Sequence, residues 1–182
     1  MKRLEDNVER VLLAKEEIAQ KVNEMAAEMD KIYQGEEVVF VCILKGSVAF
    51  FGDLARAVSF PVVYDFMCVS SYGSGTVSGG SVRINKDLST DIAGKHVVVI
   101  EDILDTGNTL HALFRQLQAR NPKSLRLCCL LDKPERRTKP VSADFVGFTI
   151  PDEFVVGYGL DYDEKYRQLP YIGILKRCVY EK

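Results

Sequence analysis

Two stretches of this chain are apolar without a break: Val38-Val39-Phe40-Val41-Cys42-Ile43-Leu44 and Val97-Val98-Val99-Ile100. A strand with one wet face alternates apolar and polar residues. An unbroken, β-branched run of this length suits a strand buried on both faces. Both faces are covered only when helices pack on each side of a sheet, so these runs demand a layered α/β fold. The rest of the pattern agrees. Residues 62–70, 124–131 and 144–149 read as further strands, and 81–87 as a strand returning from a Gly/Ser stretch. Residues 47–58 and 109–119 read as helices. Val8, Val11, Leu12, Ile18, Val22, Met25 and Met29 fall at spacings that predict one long helix over residues 8–29, closed by Gly35. Strands alternating with helices predict a mostly parallel central sheet flanked by helices, built as a single domain over residues 1–182.

Composition narrows the partners. The formal net charge is −2 and the pI about 5.8, which argues against a protein built to hold nucleic acid. No apolar stretch approaches the roughly 18 residues of a membrane span. Residues 1–10 are charged and lack the apolar core of a signal peptide. Cys42, Cys68, Cys128, Cys129 and Cys178 form no CxxC pair and read as reduced thiols, most of them buried. Together these features point to a cytoplasmic protein with neither a membrane nor a nucleic-acid partner.

In open α/β sheets, ligands bind beyond the carboxyl ends of the strands. The loops after Leu44, Ile100, Leu131 and Val156 are therefore the places to look. The second of these runs Glu101-Asp102-Ile103-Leu104-Asp105-Thr106-Gly107-Asn108-Thr109 into a helix. Gly107 lets backbone approach a ligand closely. The amides of residues 105–109, with the hydroxyls of Thr106 and Thr109, would form an anion cradle suited to a phosphate. Glu101 and Asp102 would repel each other unless hydroxyls or a cation lay between them, and ribose hydroxyls with a Mg²⁺ ion would serve. Asp105 is the candidate acid/base, the competing reading being an N-cap for the following helix. The loop is neither a Walker A nor a GxGxxG fingerprint.

At these residues the chain resembles the type I phosphoribosyltransferase family, whose motif for phosphoribosyl pyrophosphate has this form. The resemblance implies a central parallel sheet with a small hood, formed here by the N- and C-terminal segments. Leu44-Lys45-Gly46-Ser47 is similar to the pyrophosphate loop of the 6-oxopurine branch, where the Leu–Lys peptide is often cis. Ser71 and Tyr72 open the Gly/Ser stretch, which is similar to the family's lid over the leaving pyrophosphate. Lys133, at the end of Leu131-Asp132-Lys133-Pro134, would aim its ammonium at a purine O6, a contact that adenine refuses. Glu135, Arg136, Arg137 and Lys139 beside it read as surface residues. By the same resemblance Phe154 would stack on the base and the Val155 backbone would read its edge. Asp161 would bind Mg²⁺ together with Glu101 and Asp102, and Arg167 would hold pyrophosphate. Asn108 departs from many eukaryotic members, which carry Lys there.

The resemblance covers about residues 38–177 and is closest to the bacterial hypoxanthine (hypoxanthine-guanine) branch. It implies transfer of a phosphoribosyl group to N9 of a 6-oxopurine in purine salvage, with Mg²⁺ as cofactor. It also implies a homo-dimer or homo-tetramer. Asp105 would act at purine N7. Two other readings stay open at this point: a nucleotide- and RNA-binding regulator on the same fold, and a phosphoribosyltransferase for adenine, orotate or xanthine. His96 and His111 read as structural.

Overall fold

The computed structural model of the chain describes residues 3–71 and 82–181. Tyr72 and the rest of the expected lid lie outside the described residues, as does the side chain of Ser71. The elements follow in the order β1 (Val8–Leu13), α1 (Lys15–Tyr33), β2 (Val38–Leu44), α2 (Val48–Ala57), β3 (Val62–Ser71) and β4 (Val82–Lys86). Next come β5 (His96–Leu104), α3 (Asn108–Gln118), β6 (Ser124–Asp132), β7 (Phe145–Thr149), β8 (Val155–Val156), β9 (Ile172–Leu175) and the single-turn α4 (Arg177–Tyr180).

Six strands form the central sheet in the order β4-β3-β2-β5-β6-β7. All neighbours run parallel except β4, which returns antiparallel on β3. The expected mostly parallel sheet is therefore present. Val38 through Cys42 and Val97 through Ile100 are fully buried. Their side chains alternate between two cores, as a pleated strand requires. Val38, Phe40 and Cys42 pack with α1 and α2 on one face, while Val39, Val41 and Ile43 pack with α3 on the other. Each buried aliphatic or aromatic side chain contributes about 1.5–3 kcal/mol. The strands carrying the loops of interest are thus the best-anchored part of the molecule.

Three strands form a second sheet, β1-β9-β8, antiparallel throughout. This is the expected hood, drawn from both ends of the chain. It corrects the reading of residues 8–29 as one helix. Val8, Val11 and Leu13 pair with Leu175, Gly173 and Ile172, so the first segment is a strand. The helix starts only at Lys15, where the Glu17 carboxylate accepts the Ala14 N–H at 2.7 Å. The remaining periodic residues, Ile18, Val22, Met25 and Met29, do form the buried helix face. A second difference is that β5 does not stop at Ile100. It pairs with β6 as far as Leu104, so Glu101 and Asp102 lie within the strand. Backbone pairing with β6 carries the strand past its apolar stretch.

Candidate active site

The sheet reverses its winding between β2 and β5. From β2 the chain moves outward through β3 and β4, then returns to β5 and proceeds the other way through β6 and β7. Loops leaving neighbouring strands on opposite sides of this point open a crevice. The first loop, after β2, contains the cis peptide Leu44–Lys45. Gly46 lies so close to the neighbouring strand that a β-carbon would sit 1.7 Å from Asp102 Oδ2. Ser47, fully buried, donates to the Ile43 carbonyl at 2.5 Å and lies 3.2 Å from Glu101 Oε1.

Glu101 and Asp102 carry the unusual electrostatics. Burial, and then the neighbouring Asp102 charge, push the Glu101 carboxyl well above its ordinary pKa. Burial also raises Asp102, opposed by hydrogen bonds and by the Arg167 charge. Two adjacent, half-buried acids of raised pKa form a site that a cation or further hydroxyl donors would satisfy. Among the described residues, no three histidine, cysteine or carboxylate side chains converge as a ready-made metal cluster. That donor set fits Mg²⁺, which takes one or two carboxylates and completes its octahedron with water and substrate oxygens.

After β5 comes the turn at residues 105–107. Gly107 is the N-cap of α3 with φ 78°, a left-handed conformation that favours glycine. A β-carbon there would also press on the Arg137 side chain at 3.1 Å. Asp105 is not the helix cap, so that competing reading falls. The turn is tied from behind. The Arg137 guanidinium donates to the carbonyls of Asp105 (2.9 Å), Leu104 (3.2 Å) and Val141, and to the Asp132 carboxylate. The Thr106 carbonyl accepts from the amides of Thr138 and Lys139. Among the described residues, no backbone carbonyl receives the N–H of Asp105, Thr106 or Gly107. The carbonyls point back into the protein and the donors are left at the α3 N-terminus, which is the arrangement an anion needs.

Asp161 and Arg167 come from the turns after β8. A β-carbon on Gly159 would lie 1.9 Å from the Gly46 carbonyl oxygen, so this segment packs directly on the first loop. Arg167 sits 2.8 Å from Asp161 Oδ1 and donates to the Gly159 carbonyl at 2.8 Å, while its buried Nε has no hydrogen-bond partner among the described residues. Glu164 bridges Lys45 (3.0 Å) and Arg167 (3.3 Å). The Lys45 hydrogen bond, then that of Arg167, lowers the Glu164 pKa. A cavity of about 320 Å³ is lined by Lys45, Gly46, Glu101, Asp102, residues 105–109, Asp161 and Arg167. The expected phosphate, ribose and pyrophosphate residues, Ser71 and Tyr72 apart, thus share one cavity.

Lys133, Phe154 and Val155 do not line that cavity but stand beside it. Lys133 is 7% exposed and donates to the Glu153 carbonyl at 2.5 Å, so it is not a surface lysine. Phe154 is 37% exposed; one face stacks on Tyr180 of α4 at 4.7 Å, and Tyr162 meets its ring edge-on. Val155 is buried in β8. Arg136 connects the two regions, with Nε 2.8 Å from Asp105 Oδ1 and Nη1 3.3 Å from Asp152. Asp152 in turn lies 3.6 Å from Lys133 Nζ. Arg136, Arg137 and Glu164 are the residues the sequence did not single out. Arg136 and Arg137 were expected merely to face solvent, and Arg137 is instead half-buried as the brace of the turn. His96 is structural, bonded to Ser124 Oγ at 2.6 Å and packed edge-on against Tyr33. A larger groove of about 590 Å³ along α3, lined in part by His111, Phe114 and Arg115, contains none of the expected site residues.

Comparison with known proteins agrees with this geometry. Residues 10–163 match the family described as the phosphoribosyl transferase domain. The chain is 48% identical over 178 residues to the hypoxanthine-guanine phosphoribosyltransferase of Bacillus subtilis, covering 98% of this chain and 99% of that protein. It is 46% identical over 179 residues to the enzyme of the same name from Streptococcus thermophilus, covering 98% and 99%. A crystal structure of a hypoxanthine phosphoribosyltransferase from Staphylococcus aureus superimposes with a TM-score of 0.95 at 50% identity, covering 98% of this chain and 97% of the other.

Proposed function

The chain belongs to the phosphoribosyl transferase family, and from that premise we propose that it joins hypoxanthine, and also guanine, to ribose 5-phosphate. The donor is 5-phosphoribosyl 1-pyrophosphate and the products are IMP or GMP and pyrophosphate. The observation that carries this reading is the turn at residues 105–109. It leaves amide donors at a helix start beside two adjacent acids whose pKa values are both raised by burial.

In this reading the 5-phosphate sits on the amides of residues 105–109 and the hydroxyls of Thr106 and Thr109, with Asn108 at the rim. Glu101 and Asp102 accept hydrogen bonds from the ribose hydroxyls. The leaving pyrophosphate is surrounded by Lys45, Gly46, Ser71, Tyr72 and Arg167. Lys45 and Arg167 both pair with Glu164, and phosphate oxygens would take the place of that carboxylate. Asp161, Glu101 and Asp102 are the residues that would hold Mg²⁺, directly or through water; the ion supplies charge neutralisation at the leaving group. Phe154 stacks on the base, Lys133 donates to O6 and the Val155 backbone reads the ring edge. The C1–O bond to pyrophosphate breaks as the N9–C1 bond forms on the opposite face. Asp105 handles the proton at N7.

We read the molecule as a homo-dimer or homo-tetramer in the cytoplasm. Val48 and Tyr64, each 48% exposed, leave apolar surface open to a partner subunit, Tyr64 beside the Phe51 ring. Among the described residues, no helix is long and apolar enough to cross a membrane.

The test is product formation from a panel of bases with phosphoribosyl pyrophosphate and Mg²⁺. Hypoxanthine and guanine should yield nucleotide and pyrophosphate, with adenine and orotate at least a hundredfold slower. Equal rates with adenine would refute the 6-oxopurine reading.

A further inference from the structure

Asp105 has two carboxylate oxygens in different surroundings. Oδ1 is buried and lies 2.8 Å from Arg136 Nε, without a well-aligned hydrogen bond, so the contact is chiefly coulombic. The side chain as a whole is 39% exposed, so the carboxylate also reaches the cavity that it lines. Arg136 does not act alone. Its Nη1 is 3.3 Å from both oxygens of Asp152, and Asp152 Oδ1 is 3.6 Å from Lys133 Nζ. A chain of alternating charge, Asp105–Arg136–Asp152–Lys133, therefore joins the two groups that meet neighbouring edges of the same purine.

We infer that Arg136 is a positioning residue: it holds Asp105 Oδ1 so that Oδ2 faces the base, in register with the Lys133 ammonium. The inference rests on Asp105 being the acid/base of the proposed reaction. The physical reason is geometric. An aspartate side chain rotates about two bonds, and a guanidinium charge held 2.8 Å from one oxygen while anchored on a second carboxylate narrows that freedom. A misplacement of about 1 Å at a reacting group costs on the order of a hundredfold in rate. A neighbouring ammonium would be a poorer clamp, because one point charge cannot span Asp105 and Asp152 with fixed geometry.

The experiment is a double-mutant cycle of Arg136→Gln and Asp105→Asn, read as kcat and as KM for phosphoribosyl pyrophosphate. Arg136 is 45% exposed, so the substitution should leave the thermal midpoint nearly unchanged. Arg136→Lys, which keeps the stem and the charge, is a second variant. We expect Arg136→Gln to lower kcat ten- to hundredfold with KM for phosphoribosyl pyrophosphate within twofold, and Arg136→Lys to recover part of that loss. In the Asp105→Asn background, Arg136→Gln should cost less than twofold, since no charged oxygen remains to orient. Equal losses in both backgrounds would make Arg136 a merely structural residue and overturn the inference. Full turnover by Arg136→Gln, with Asp105→Asn impaired, would overturn it while leaving the acid/base reading intact. Full turnover by Asp105→Asn would remove that reading and this inference together.

Discussion

Gly46 and Asp102 approach so closely that no side chain at position 46 would fit against the Asp102 carboxylate. A β-carbon would lie 1.7 Å from Asp102 Oδ2 and 2.8 Å from its Cγ. The loop after β2 and the acid proposed to bind ribose are thus one packed unit, and a change in either must move the other.

Gly46→Ala should displace the Asp102 carboxylate. Overpacking of this kind costs about 1–3 kcal/mol of stability. The sharper effect should fall on substrate: KM for phosphoribosyl pyrophosphate rises about tenfold or more, a loss near 1.4 kcal/mol. Steady-state kinetics checks this, and an unchanged KM would separate the two loops.

Glu101→Gln should stabilise the free protein while weakening phosphoribosyl pyrophosphate binding. Glu101 has a folded-state pKa raised by burial and by Asp102. Its ionisation therefore opposes folding, a penalty absent below the unfolded pKa and growing as pH rises toward the folded value. The stabilisation should be about 1 kcal/mol near neutral pH, a size common when a strained site residue is relieved. It should shrink as pH falls toward about 4, the unfolded range of the group. Thermal melts of both proteins across pH test the sign.

Lys133→Gln should weaken hypoxanthine binding by about ten- to hundredfold, the range for loss of a charge-assisted hydrogen bond. Phosphoribosyl pyrophosphate binding should be unaffected, because Lys133 stands outside the cavity that holds the phosphate loop. The measurement is KM for each substrate in turn. A parallel loss in both would assign Lys133 to packing.

Arg137→Met should loosen the phosphate turn from behind. The guanidinium serves two carbonyls of the strand and turn, the Val141 carbonyl and the Asp132 carboxylate. Breaking a fully buried pair costs about 3–5 kcal/mol. The Arg137 side chain is 17% exposed, so about 2 kcal/mol is the expected loss. Denaturant unfolding measures it, and no change would mean that Thr138 and Lys139 hold the turn alone.

Much of this architecture is legible in the chain itself because burial on both faces leaves a compositional mark. Val38–Leu44 and Val97–Ile100 could hardly be anything but central strands, and the loops leaving them hold the site. Val8 and Val11 misled because their partners Leu175 and Gly173 stand at the other end of the chain, and local spacing fits a helix equally well. Glu101 and Asp102 were legible as paired acids. Their place inside the strand was not, since it depends on the ladder to Cys129 and Leu131. Arg136, Arg137 and Glu164 carry no local signal. Arg137 reaches the Asp105 carbonyl across 32 residues, and Glu164 meets Lys45 across 119, so only the folded chain makes them neighbours.

The most direct measurement is a crystal structure of the protein with phosphoribosyl pyrophosphate and Mg²⁺. The account predicts the 5-phosphate on the amides of residues 105–109, with the ribose hydroxyls against Glu101 and Asp102. A bound sugar phosphate seated anywhere else, with these amides facing only solvent, would contradict it.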